Sequence, residues 1–220
     1  MKREIILTND GSTSIHLPEW GESYHSKHGA IQEAYHVFIK NGLLLCKEQS
    51  VSILEIGFGT GLNAFMTLIE SDKSKQKIDY VGVEGFPVSP DEISQMNFAS
   101  KVTGGEDETV FRQIHSTEWE EKRLITPHFQ LTKRNQMFSE IADKSQFDLI
   151  YFDAFGYRVQ PELWSVDIFI KMFAALKPVG ILVTYACRGP IKRAMLEAGF
   201  QIEKLEGPPG KREMLRGFKV

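Results

Sequence analysis

At 220 residues and 25.0 kDa the chain suits one large core rather than two independent ones. A formal net charge of −3 argues against an indiscriminate nucleic-acid binder, and the lack of any apolar run near ~20 residues excludes a membrane helix. Two cysteines, Cys46 and Cys187, make neither a disulfide framework nor a metal cluster. The first residues, MKREIILTND, lack the apolar stretch and cleavage site of a signal peptide, so a cytoplasmic protein is expected. The average charge hides an asymmetry: residues 171–220 hold ten Lys and Arg against four acidic residues. A basic C-terminal part suits a phosphate-bearing partner, and equally the solvated faces of ordinary elements.

In chain order, residues 1–50 read as an extension whose second half, from GESYHSKHGAIQEAYHVFIKNGL, predicts an amphipathic helix folding over the core. From residue 51 strands and helices alternate. VSILEIG predicts a strand, GLNAFMTLIES a helix, KIDYVGVE a strand and SPDEISQMNFA a helix capped by Ser89 with Pro90 in its first turn. Residues 101–123 read as an acidic, helical, exposed insertion. HFQLTK and FDLIYFDA then predict strands flanking the helix-prone NQMFSEIAD. PELWSVDIFIKMFAAL predicts a helix, ILVTYA a strand and PIKRAMLEAG a helix ending at Gly199. FQIEKLE and REMLRGFKV pair as a closing hairpin around GPPG. Apolar strands alternating with helices imply an α/β fold, a parallel sheet covered on both faces. Internal repeats are absent, and residues 1–220 are expected to form a single domain.

LEIGFGTGLN places Gly57, Gly59 and Gly61 between a predicted strand and a predicted helix. There glycines allow a tight turn and a close approach of backbone to ligand. A dinucleotide fingerprint needs glycine where this chain has Leu62. The spacing E-x-G-x-G-x-G is instead the form associated with S-adenosylmethionine-dependent methyltransferases. Asn63 joins the loop as a cofactor candidate, and Glu84, closing the next strand, can accept hydrogen bonds from both ribose hydroxyls.

With YHSKHGAIQEAYHVFI, FDAFGYRVQPELWS and TYACRGPIKRAMLEAGFQIEKLEGPPGKREML added, the chain resembles the methyltransferase part of the bacterial bifunctional tRNA-modifying MnmC proteins and their stand-alone relatives. The resemblance runs from about residue 20 to the C-terminus. It implies a Rossmann-like class I methyltransferase with a mainly parallel seven-stranded sheet and a closing antiparallel hairpin. It also implies methyl transfer to the amine of 5-aminomethyluridine, or its 2-thio form, at the tRNA wobble position. S-adenosyl-L-methionine is the implied cofactor, with no flavin and no metal. The implied partner is tRNA, bound by a monomer that depends on a separate enzyme for the aminomethyl intermediate. Two stretches depart from the family pattern: AFGYRV, with Gly156–Val159, replaces an Ala-Pro-rich loop, and KRNQ stands where an acid often meets the adenine, leaving Asn135 as the adenine candidate.

Methyl transfer to an amine needs collinear placement of the reacting atoms and a free, unprotonated nitrogen. Asp153, at the end of a strand and hence near the ligand-binding edge of the sheet, is the candidate to receive and deprotonate the ammonium. Its bland alternative is a capping aspartate. Phe155 and Tyr157 can flank an extruded base or simply pack, and Trp164 reads as core. His25, His28 and His36 lack a completing cysteine or acid, so no metal is expected. Tyr24, Ser26 and Glu33 are candidate cofactor contacts from the extension. Arg188, Lys211 and Arg212 are candidate substrate contacts, with Lys192 and Arg193 nearby. The alternatives are a small-molecule or protein methyltransferase of the same fold, a nicotinamide-dependent oxidoreductase, and a non-catalytic RNA binder with a vestigial cofactor loop.

Overall fold

The computed structural model describes residues 2–220. Its centre is an eight-stranded sheet. Five strands run parallel: β4 (Ser50–Ile56), β5 (Lys77–Val83), β7 (Phe129–Arg134), β8 (Phe147–Phe152) and β9 (Leu176–Thr184). Their spatial order is β7-β5-β4-β8-β9, so β4 pairs in parallel with β5 on one side and β8 on the other. The direction of strand order reverses at β4, which places the ligand crevice above its carboxyl end. The predicted hairpin is present as β10 (Gln201–Glu206) and β11 (Glu213–Phe218), with β11 inserted antiparallel between β9 and β10.

The eighth strand is β6 (Lys122–Thr126), antiparallel to β7 at the far edge. It begins at the end of the predicted insertion, where the side chains of Lys122, Arg123 and Leu124 are exposed. Charged residues suit an exposed sheet edge because they discourage pairing with another chain. The rest of that region is helical, as α4 (Phe98–Thr103) and α5 (Glu108–Ser116). The described part of the extension builds its own three-stranded antiparallel sheet, β1 (Glu4–Leu7), β2 (Thr13–Leu17) and β3 (Glu22–Ser23). It then forms α1 (Ala30–Ala34), which continues as a π-helix over Tyr35–Lys40.

Three predicted helices are more broken than their periodicity suggests. The helix capped by Ser89 has the full reciprocal capping box with Glu92, yet α3 spans only Pro90–Ile93 before the chain turns. NQMFSEIAD makes a single 3-10 turn, Phe138–Glu140. The helix predicted from Pro161 is interrupted at Ser165 into a 3-10 turn, Pro161–Trp164, and α6, Val166–Ala175. Helical periodicity cannot distinguish one helix from two pieces sharing a face.

Two apolar layers cover the sheet. One packs the extension, α2 (Leu62–Ser74), α4 and α5 around Phe38, Phe65, Tyr80, Phe111 and Tyr151. The other packs α6 and α7 (Gly189–Glu197) around Phe152, Trp164, Phe169 and Met195. Trp164 is in the core as expected, its indole N–H donating to the Phe155 carbonyl at 2.8 Å. Among the described residues no helix is long and apolar enough to cross a membrane.

Candidate active site

Residues immediately following four adjacent strands converge on one cavity: Gly57 after β4, Glu84 after β5, Asp153 after β8 and Tyr185 after β9. The cavity measures about 1490 Å³. A single small-molecule site is usually ~300–1,000 Å³, so there is room for a cofactor and an acceptor group together.

The cofactor side is made of backbone. Gly57 has φ +90°, and a Cβ there would lie 2.5 Å from the Asp153 carbonyl oxygen. Gly59 has φ +49°, and its Cβ would meet the Tyr24 ring at 3.2 Å, so only glycines allow the loop to pass beneath the extension. Gly61, also at positive φ, is the N-cap of α2 and lies behind the lining. The Glu84 carboxylate accepts from the Gly59 N–H at 3.0 Å and the Phe86 N–H at 2.8 Å, which ties loop to strand end. Each oxygen keeps a lone pair for a ribose hydroxyl. Close backbone approach, a fixed carboxylate at the second strand end and spare volume together fit a nucleoside cofactor such as S-adenosyl-L-methionine.

Asn135 stands outside the lining. Its amide donates to the Glu84 carbonyl at 3.3 Å and its own N–H to Glu120 at 2.7 Å, so it braces the strand end. Met137 and Phe138 line the cavity in its place. Asn63 lines the cavity, and its Nδ2 donates at 2.9 Å to both Glu55 Oε1 and Asp153 Oδ2. Its second hydrogen-bonding partner, Glu55, is fully buried, and burial lifts that carboxyl well above the usual range.

Against the glycine loop, Asp153 sits half-buried at the cavity wall. Burial, then the nearby Glu33 carboxylate, push its pKa up to about 7, against the opposing Asn63 hydrogen bond and the Lys211 charge. Glu33, on α1, takes the Ser26 N–H on Oε2 at 2.9 Å and the Lys211 ammonium on Oε1. The Lys211 Nζ also lies 4.1 Å from the centre of the Tyr185 ring. Tyr185 is anchored by donating its hydroxyl to the Ala154 carbonyl at 2.8 Å.

Phe155 is held edge-on between Trp20 and Tyr24, at 5.4 and 5.0 Å, so it packs the extension onto the β8 loop. Tyr157 lines the cavity beside it and leans on the α6 core layer. Arg158, in the departing Gly156–Val159 loop, donates to the Trp20 carbonyl at 3.0 Å and pairs with Glu22. Arg188 and Arg212 are exposed on the rim. The ring nitrogens of His25 are occupied by Ser14 at 3.0 Å and Thr60 at 3.1 Å, and burial lowers its pKa to about 4. His36 donates to the Glu206 carbonyl at 2.8 Å, and His28 packs against Gly210. Among the described residues no group of three metal-ligating side chains forms.

Sequence reasoning missed Tyr185 and the bridging role of Asn63. Tyr185 directly follows a strand, the same placement that singled out Asp153, so the strand-end rule applied to β9 would have found it. The Asn63 bridge joins β4, α2 and β8, and no local pattern announces it.

Comparison with known proteins agrees with this geometry. Residues 115–220 match a family described as S-adenosyl-L-methionine-dependent methyltransferase. The similarity to that family covers just under half of the chain. The tRNA 5-methylaminomethyl-2-thiouridine biosynthesis bifunctional protein MnmC of Burkholderia multivorans is 29% identical over 97% of this chain. That of Paraburkholderia xenovorans is 29% identical over 91%. The chain spans about a third of the length of these curated relatives, 34% and 32%. In fold it is similar to MNMC2 from Aquifex aeolicus, with TM-score 0.76, 23% identity, and coverage of 98% of this chain and 70% of that one. A spermidine synthase in complex with the transition-state analogue AdoDATO shares the fold at TM-score 0.61 and 15% identity, covering 99% and 69%. The enzyme is a methyltransferase and its cofactor is S-adenosyl-L-methionine.

Proposed function

We propose that this methyltransferase methylates the amine of 5-aminomethyl(-2-thio)uridine at the tRNA wobble position, completing the methylaminomethyl group. The observation that carries the reading is the juxtaposition of Asp153, Glu33 and the Tyr185 ring in one cavity with the glycine loop, which Asp153 directly adjoins. Two carboxylates and an aromatic face form a receptor for an ammonium group. When bound, S-adenosyl-L-methionine supplies an electrophilic methyl group; Gly57, Gly59 and Glu84 hold it.

The acceptor nitrogen arrives largely protonated and is not nucleophilic in that form. Asp153, with a pKa near neutrality, attracts the ammonium when ionised and accepts its proton, a role best filled by a base titrating near working pH. Asn63 fixes the orientation of that carboxylate. The walls formed by Phe155, Tyr157 and Leu163 exclude water from one side. The exposed Arg188 and Arg212, with Lys192 and Arg193 on α7, suit phosphates of a bound tRNA. The MnmC names of the curated relatives support this choice of substrate over a small molecule or a protein. In this reading residues 1–220 act as one unit, a cytoplasmic monomer supplied with the aminomethyl intermediate by another enzyme activity.

The test is incubation with S-adenosyl-L-methionine and tRNA that carries 5-aminomethyl groups, followed by digestion and mass spectrometry of nucleosides. A gain of one methyl on that nucleoside is expected; no gain overturns the reading.

A further inference from the structure

Lys211 is the side chain that the proposed reaction leaves unused. It lies in the tight loop between β10 and β11, where its N–H donates to the Pro208 carbonyl at 2.9 Å and Gly207 N–H returns to the Arg212 carbonyl at 3.2 Å. The loop is tied to the extension helix at a second point, through His36 and the Glu206 carbonyl. From this anchored backbone Lys211 reaches Glu33 and the face of Tyr185. Its ammonium is thus held by a carboxylate and an aromatic ring, beside Asp153 in the same cavity. Those are the groups that a substrate ammonium would use.

We infer that Lys211 is a specificity-determining residue: its ammonium occupies the seat on Glu33 and Tyr185, and an incoming acceptor amine must displace it. This rests on the proposed reading of Asp153 as the amine receptor. A small free amine brings nothing beyond its own ammonium, so it competes with a resident group tethered at high effective concentration. A nucleotide within tRNA brings phosphate and base contacts to the rim, and binding energy from those remote parts can offset the displacement. The chemistry at the seat therefore selects a large acceptor that carries the amine, against free aliphatic amines and the free nucleoside. The groups around the seat are Glu33 on α1, Asn63 on α2 with Glu55 behind it, Asp153 after β8, Tyr185 after β9 and Lys211 itself, with Glu22, His25 and Arg188 also near enough to act on them.

Lys211→Met removes the charge and keeps most of the length; Lys211→Arg keeps the charge. Binding of free 5-aminomethyluridine to each protein, saturated with S-adenosyl-L-methionine, is measured by calorimetry at pH 7.5, beside methylation of the nucleoside and of undermodified tRNA. Lys211→Met is expected to bind the nucleoside at least tenfold more tightly than the wild type, equivalent to about 1.4 kcal/mol. Its ratio of kcat/KM for nucleoside over tRNA should rise by a similar factor. Lys211→Arg should stay close to the wild type in both. Equal nucleoside affinity in wild type and Lys211→Met overturns the inference, as does a parallel loss on both acceptors. Failure of the parent reading is distinct: the wild type then leaves tRNA unmethylated, while the binding comparison still decides whether Lys211 guards an ammonium seat. Melting temperatures of the variants identify any that fail to fold.

Discussion

The cofactor and acceptor sides of the cavity are built differently. The cofactor side is mostly backbone: Gly57 and Gly59 with the Glu84 carboxylate, held by β4 and β5 as neighbouring strands. The acceptor side is made of charged and aromatic groups: Glu33 from the extension, Asp153 and Tyr185 from two strand ends, and Lys211 from the closing hairpin. A backbone cradle recognises shape and is insensitive to pH. A cluster of two carboxylates, an ammonium and a phenol recognises charge and is tuned by every proton it exchanges. Binding and chemistry are thereby assigned to separable sets of residues.

Substitution of Asp153 should separate the two sides most clearly. Asp153→Asn keeps an acceptor for Asn63 and removes the base, so turnover is expected to fall by ~10²–10⁴-fold, with cofactor affinity changed by only a few-fold. Single-turnover assays and cofactor titration read the two quantities. A parallel loss of both would merge the two sides. The same variant carries a stability signature. A carboxyl whose folded pKa is raised to about 7 from 3.8 contributes stability at low pH that is lost as pH rises through about 7. Asp153→Asn should therefore melt higher than the wild type at pH 8, and the gap should close toward pH 4.

Glu84→Gln tests the cofactor side. Hydrogen bonds to a charged acceptor are worth ~1.5–3 kcal/mol, so cofactor affinity should weaken by ~10–100-fold while turnover at saturating cofactor is largely retained. A loss of turnover at saturation would show that the strand-end carboxylate also serves the acceptor. For the wild type, kcat/KM should rise with pH through an acid limb near 7 as Asp153 ionises, whereas cofactor affinity stays flat over that limb. The smallest effect is expected from His25, whose pKa is lowered to about 4 from 6.5. The folded state resists its protonation, so stability falls as pH drops from 6.5 toward 4. His25→Gln should shrink that acid loss in melting temperature without moving the acid limb of activity.

The same division governs what could be read from the chain. Local features were visible: the alternation of apolar strands with helices, the glycine spacing, Glu84 and Asp153 at strand ends, and the hairpin around GPPG. Helix continuity was not, because Ser165 and residues 94–97 break the periodic stretches without a proline or glycine signal. The edge strand β6 was hidden by its charged composition. Asn135 stands outside the cavity and braces the Glu84 carbonyl, while Asn63 lines the cavity and braces the Asp153 carboxylate, a role its position in the loop did not reveal. Glu33 and Lys211, named separately for cofactor and substrate, turn out to hold each other, a pairing across 178 residues that no window of sequence reveals.

The insertion of β11 between β9 and β10 has a kinetic corollary. The Lys211 loop directly precedes β11, and its contact with Glu33 spans 178 residues. Contacts of such long sequence separation form slowly and late. The glycine loop, its carboxylate and their two strands can be in place on a nascent chain well before the acceptor seat exists. During synthesis, then, the protein should acquire the capacity to hold its cofactor before it acquires the capacity to use it.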